Sequence, residues 1–110
     1  MTSALHGERL RPLLAPRSIA FVGASARPNT PGHDMMRMIR RGGYQGVVHA
    51  VNPNHSEIEG YPCVASVEDL PAAPELAVLA VRNERLEETL AAAIAGGAKA
   101  AVIFASGLIA

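Results

Sequence analysis

Four short, mostly apolar runs alternate with two amphipathic stretches along this chain. Ser18–Gly23 (SIAFVG) ends at glycine, the pattern of a strand buried on both faces. Gly46–Val51 (GVVHAV), Glu75–Val81 (ELAVLAV) and Lys99–Ala105 (KAAVIFA) repeat it, the second closed by Asn52-Pro53-Asn54 and the last broken by Gly107. A helix is predicted to begin at Thr30, whose hydroxyl can accept an orphan backbone N–H, with Pro31 at the first helical position. Met35, Met36 and Ile39 have helical spacing and face the core. Arg37, Arg40 and Arg41 complement the dipole at the carboxyl end, and Gly42-Gly43 stop the helix. Asn83 is read as the cap of a second helix running to about Ala95. Its apolar stripe is Leu86, Leu90, Ala93 and Ile94. Glu84, Glu87 and Glu88 sit near its positive end, and Gly96-Gly97 end it. Residues 5–14 read as a short helix that Pro12 makes irregular. Residues 55–74 read as irregular, with one short turn around Ser66–Leu70.

The order β-α-β-(irregular)-β-α-β predicts a parallel sheet with right-handed crossovers. The expected fold is a doubly wound, Rossmann-like α/β domain occupying residues 1–110. Such a sheet calls for a further helix beyond the fourth strand, yet the sequence stops at Ala110. The expectation is a domain truncated after that strand, or one completed by another chain.

Composition narrows the function. Hydrophobic residues make up 49% of the chain, which excludes a disordered polar polymer. Aromatics are 4% and Trp is absent, so stacking on single-stranded nucleic acid is not expected. Cys63 is the lone cysteine, which excludes a disulfide framework and a cysteine zinc cluster and fits a cytoplasmic setting. The longest apolar runs, Leu76–Val81 and Ala100–Ala105, fall far below the ~18 residues that span a bilayer. No membrane partner is expected. The net charge is zero, but it is unevenly split. Residues 1–55 carry seven Arg against Glu8 and Asp34, a sum of +5, and residues 56–110 sum to −5. A basic half within a neutral chain predicts a local anion site rather than a nucleic-acid surface.

The first strand-loop-helix unit is where an anion would dock. Gly23-Ala24-Ser25 leaves the strand and Gly32 lies in the first turn of the helix, so backbone N–H groups and a positive helix end can meet a phosphate. Ser25, Asn29 and Thr30 offer hydrogen bonds and Arg27 offers charge. The loop is neither G-x-G-x-x-G nor a P-loop, because Gly23 and Gly32 are nine positions apart and no Gly-Lys-Ser/Thr occurs. An NAD site places a carboxylate at the end of the second strand. Here Val51-Asn52-Pro53-Asn54-His55 holds no acid before Glu57. That favours a nucleotide with an added phosphate, coenzyme A or NADP. The four histidines read as surface or structural residues, and Cys63 lacks a partner to activate it. Glu87-Glu88 and Glu68-Asp69 read as a solvated face and a short-helix end. No catalytic residue and no metal site is predicted.

Five blocks in order carry a family resemblance: S-I-A-F-V-G-A-S (18–25), G-Y-Q-G-V-V-H-A-V-N-P-N (43–54), I-E-G-Y-P-C-V-A-S-V-E-D-L-P (58–71), P-E-L-A-V-L-A-V (74–81) and G-G-A-K-A-A-V-I-F-A-S-G (96–107). Together they cover about residues 12–107. The chain resembles the N-terminal CoA-binding domain of the NDP-forming (ADP-forming) acyl-CoA and acetyl-CoA synthetases. That domain is similar in fold to the one in the succinyl-CoA synthetase alpha subunit, and some protein lysine acetyltransferases carry a related module. The resemblance implies that Gly23, Ala24, Ser25, Arg27 and Gly32 hold CoA phosphate. It implies that Val51, Asn52 and Pro53 line the nucleotide, that Ala80, Val81 and Arg82 stand beside the adenine, and that Ala105, Ser106 and Gly107 approach the pantetheine arm. Three departures stand out. His55 falls near a family lysine, Arg82 replaces a proline, and Ser106 is followed by Gly107-Leu108-Ile109-Ala110 instead of x-G-F-x-E.

In the synthetases, catalysis uses a phosphorylated histidine in a following ligase domain and an ATP-grasp domain, and this chain contains neither. The expectation is a CoA-binding module, not catalytic alone, that works with ligase and ATP-grasp domains in cis or in trans. A homo- or hetero-oligomeric state is left open. Two other readings stay open: a stand-alone CoA-sensing or regulatory module, and an NAD(P)-binding oxidoreductase domain.

Overall fold

A computed structural model describes residues 10–24 and 30–104. Helical residues 10–14 precede β1 (Ser18–Val22). Then come α1 (Pro31–Arg41), β2 (Val47–Val51), β3 (Glu57–Ile58) and β4 (Tyr61–Val64). A 3-10 turn (Val67–Asp69), β5 (Leu76–Leu79), α2 (Asn83–Ala95) and β6 (Ala100–Ile103) complete the order. The strands form one sheet in the order β3-β4-β2-β1-β5-β6. All pairs are parallel except β3 with β4. The fold is the Rossmann-like α/β sheet expected, but among the described residues it has six strands rather than four.

The two extra strands overturn the irregular reading of residues 55–74. Ile58 pairs with Tyr61 across a two-residue turn, in which Glu59 and Gly60 both have positive φ (53° and 83°). Two-residue hairpins with this sign of φ match the twist of the flanking strands. Ile58 is 2% exposed and packs with Met36 and Phe21, so burial anchors a strand too short to show alternation. β4 then joins β2 through Ala50–Cys63 and Val51–Val64. The face of α1 grips the turn at two points seven residues apart. His33 Nε2 lies 2.6 Å from Glu59 Oε1, and Arg40 donates to the Glu59 carbonyl while lying over the Tyr61 ring.

Alternation along the central strands sends side chains to two cores. Ile19, Phe21, Val48, Ala50, Leu76 and Val78 meet Met36 of α1. Val22, Val51, Ala77 and Leu79 meet Ala93 of α2, with Leu86 and Leu90 packed alongside. α1 starts as its sequence predicts: Thr30 is extended, its hydroxyl accepts from His33 N–H, and Pro31 opens the helix. It ends with Gly43 N–H on Arg40 O and Tyr44 N–H on Ile39 O, the crossed pair of a Schellman motif.

Three further expectations are corrected. Arg82, not Asn83, caps α2; it is extended, and Asn83 is already helical without a side-chain cap. Ile94 falls off the apolar stripe and is 65% exposed. Lys99–Ala105 is not buried on both faces, since Ala101 and Ile103 are exposed. β6 is the edge strand, and α2 packs instead toward β5 and the 3-10 turn at Val67 and Leu70.

The amino ends of the strands are tied by charge. Arg11 grips Glu75 with two bonds, 2.9 and 2.6 Å. Arg17 N–H adds a third at 2.8 Å, and Glu75 N–H donates to Ser18 Oγ. The Arg11 side-chain bonds, with help from Arg17 N–H, hold the Glu75 carboxyl at about 2. No helix among the described residues is long and apolar enough to cross a membrane.

Candidate functional site

At the carboxyl ends of β1, β2 and β5 the chain encloses an open groove of about 1170 Å³. Ligands of open parallel sheets bind in this position, where neighbouring connections leave to opposite faces. Here β1 leads to α1 on one face while its neighbour β5 leads to α2 on the other.

The floor is the end of β1. Gly23 has φ +85°, and a Cβ there would stand 2.1 Å from the Ala80 carbonyl oxygen. The loop leaving β1 therefore runs tight against the end of β5, an approach only glycine permits. Gly23 N–H bonds to Val51 O and Ala80 N–H to Val22 O, so three strand ends are laced together there. Thr30 and Gly32 bring the start of α1 to the same groove, with the positive end of an 11-residue helix behind them.

The β2 side is shaped by Asn52. Its Nδ2 donates to Ala24 O at 2.8 Å and its Oδ1 accepts from Asn54 N–H at 2.8 Å. The first bond pins the β1 loop and the second folds the Asn-Pro-Asn turn. Both ends of the amide are thus engaged by backbone, and Asn52 builds the wall. Cys63 Sγ reaches Asn52 O at 3.5 Å. Burial pushes the Cys63 thiol up, partly offset by that contact, which disfavours the nucleophilic thiolate.

Nine of the residues expected from sequence converge on this groove: Gly23, Ala24, Gly32, Val51, Asn52, Pro53, Ala80, Val81 and Arg82. Ser25, Arg27, Asn29, Ala105, Ser106 and Gly107 lie outside the described residues. Sequence reasoning missed a second wall. Arg85, Glu88, Thr89 and Ala92 of α2 line the groove with Ser66 and with Val67 and Glu68 of the 3-10 turn, and Phe104 closes the β6 side. A signal for it existed, since positions 85, 89 and 92 form one helical row beside the apolar stripe.

Arg27, the cation expected at the anion site from the basic half, lies outside the described residues. Of the other arginines of the basic half, Arg11 binds Glu75 with its guanidinium at the opposite end of the sheet, where Arg17 gives only its backbone N–H, and Arg40 grips the hairpin. Among the described residues, the arginines lining the groove are Arg82 and Arg85, both from the acidic half.

Comparison with known proteins agrees with this geometry. Acetate–CoA ligase (ADP-forming) II of Archaeoglobus fulgidus is 35% identical over 98 residues, covering 89% of this chain and 15% of that protein. The chain therefore spans a small fraction of that relative's length. Among solved structures, the dinucleotide-forming acetyl-coenzyme A synthetase 1 of Ca. Korarchaeum cryptofilum, in complex with phosphate and ADP, superposes with a TM-score of 0.84. It is 32% identical, over 90% of this chain and 21% of that one. A conserved hypothetical protein of Pyrococcus furiosus superposes with a TM-score of 0.71 at 33% identity, over 80% of this chain and 74% of that one. The family model described as CoA binding domain matches residues 17–109. On this match, which takes in every strand and both helices of the sheet, the chain belongs to the CoA binding domain family.

Proposed function

We propose that this chain binds coenzyme A in the groove at the strand carboxyl ends, as the nucleotide-binding module of an NDP-forming acid–CoA ligase. It supplies binding and orientation and no chemical step of its own. The observation that carries the reading is the end of β2. There, where an NAD site presents a carboxylate to the ribose, Asn52 spends its amide on Ala24 and Asn54 and no acid follows until Glu57. A ribose bearing an extra phosphate meets no repulsion from that strand end. The tight β1 turn and the start of α1 fit a pyrophosphate by backbone N–H groups and helix dipole, and the long groove leaves room for a pantetheine arm. The acyl chemistry then belongs to ligase and ATP-grasp domains, joined to this module in cis or in trans.

Isothermal titration of the chain with CoA, 3′-dephospho-CoA and NAD tests the reading. CoA is expected to bind tightest. Equal binding of the three, or binding of none, contradicts it.

A second reading has one observation in its favour. The Pyrococcus furiosus neighbour is itself short, since this chain covers 74% of it. A stand-alone CoA-sensing module of this size is therefore a competing assignment. The reading frame downstream of codon 110 separates the two, because a ligase domain in frame favours the first.

A further inference from the structure

We propose that Arg82 and Arg85 are the specificity-determining cations of this groove, and that together they receive a ribose phosphomonoester, the 3′-phosphate of CoA. The inference rests on the CoA reading above.

Three observations converge on the pair. Both side chains line the groove, and no other Lys or Arg among the described residues does. The end of β2, the alternative place for a phosphate ligand, offers Asn52, Pro53, Asn54 and His55. Of these, Asn52 is committed to backbone at both ends of its amide, and His55 is an imidazole rather than a permanent cation. Among the described residues, the fixed positive charge at the groove therefore comes from the α2 side.

The second observation is spacing. Arg82 is the residue that caps α2, and Arg85 N–H bonds to Arg82 O at 2.9 Å. That turn ties both residues to the same helix start, from which both line the groove. A dianion between them gains charge-assisted bonds from both guanidinium forks.

The third is availability. No hydrogen bond or ion pair among the described residues engages the Arg82 guanidinium. Arg85 pairs with Glu88 at 3.5 Å, but the two side chains are 72% and 74% exposed. A pair that open holds its arginine weakly and releases it to a phosphate at little cost. Glu68 also lines the groove, and its negative charge disfavours a phosphate on that side.

The test is a titration matrix. The unmodified chain, R82A, R85A and R82A/R85A are each titrated with CoA, 3′-dephospho-CoA, NADP and NAD. Far-UV circular dichroism verifies the fold, which these exposed side chains do not support. The unmodified chain is expected to prefer CoA to 3′-dephospho-CoA. Each single substitution is expected to cost CoA affinity roughly tenfold, the scale of one charge-assisted bond. The double variant is expected to lose the preference entirely, with dephospho-CoA binding unchanged. If the double variant keeps the preference for CoA, the inference is overturned while the CoA reading stands. If the unmodified chain ignores CoA but prefers NADP to NAD, the CoA reading falls and the 3′-phosphate assignment with it.

Discussion

Replacing Gly23 by alanine asks whether the groove's floor depends on a close backbone approach. The new Cβ would lie 2.1 Å from Ala80 O and 2.9 Å from Ala80 C. An ordinary carbon–oxygen contact is about 3.3 Å, so the two strand ends must part by roughly 1.2 Å. Ala80 cannot yield freely, because its N–H is bonded to Val22 O at 2.8 Å. Losing that bond costs about 1 kcal/mol. Alanine at φ +85° costs about 1–2 kcal/mol more. With the residual steric strain the total comes to about 3–5 kcal/mol, a large share of the stability of a small domain.

Gly43 supplies the matched control. Its φ is +71°, but a Cβ there meets nothing within 4 Å. Gly43→Ala therefore carries only the conformational cost of about 1–2 kcal/mol. Urea unfolding followed by far-UV circular dichroism reads both variants. With a slope of about 1–3 kcal/mol per molar urea, the midpoint of Gly23→Ala falls well below that of Gly43→Ala. Equal midpoints would show that positive φ alone explains Gly23, and the close-approach argument would be refuted.

Three further outcomes are expected. Asn52→Ala leaves the carbonyl of buried Ala24 without its 2.8 Å donor, costing about 1–3 kcal/mol, and CoA affinity measured by titration falls with it as the end of β1 loosens. Glu75 is held at about 2, below its ordinary 4.5; a depressed carboxyl stabilises the fold above the ordinary value and loses that contribution as pH falls toward 2. Thermal melts from pH 6 to pH 2 should therefore show Glu75→Gln less stable at the upper end and converging with the unmodified chain at the lower. Arg40→Ala removes the bond to Glu59 O and the contact with the Tyr61 ring, so amide exchange at Ile58 and Tyr61 speeds up and stability drops by about 1–2 kcal/mol.

Much of the fold was legible because the central strands are buried on both faces. Leu76–Leu79 is buried at every position and β1 at four of five, so both appear as unbroken apolar runs. α1 was legible through Thr30-Pro31 and Gly42-Gly43, which act locally. The β3–β4 hairpin was not. Its strands are two and four residues long, Pro62 lies within β4, and its turn is Glu59-Gly60 rather than Asn-Gly. What holds it is remote: Arg40, His33 and Met36 of α1. Asn83 is a favoured cap residue by type, but the extended Arg82 starts the helix one residue earlier and leaves Asn83 inside it.

The site was legible where it is made of strand ends and turns, as at Gly23, Asn52 and Val81. It was hidden where it is made of a helix face. Arg85 and Thr89 sit in an acidic stretch, and only the path of α2 past the 3-10 turn brings them to the groove. The half-chain charge sum pointed to an anion site in residues 1–55. Within the described residues, the Arg11 guanidinium goes to Glu75 at the other end of the sheet, because backbone topology, not sequence proximity, decides which charges share a surface.

The central claim is that CoA occupies the groove at the strand carboxyl ends. Amide chemical shifts of the labelled chain, recorded during a CoA titration, test it most directly. The predicted result is saturable shifts at Gly23, Ala24, Asn52, Val81 and Arg85, with Leu13, Ile39 and Gly46 at the opposite end unmoved. Shifts confined to that opposite end, or none at saturating CoA, would contradict the account.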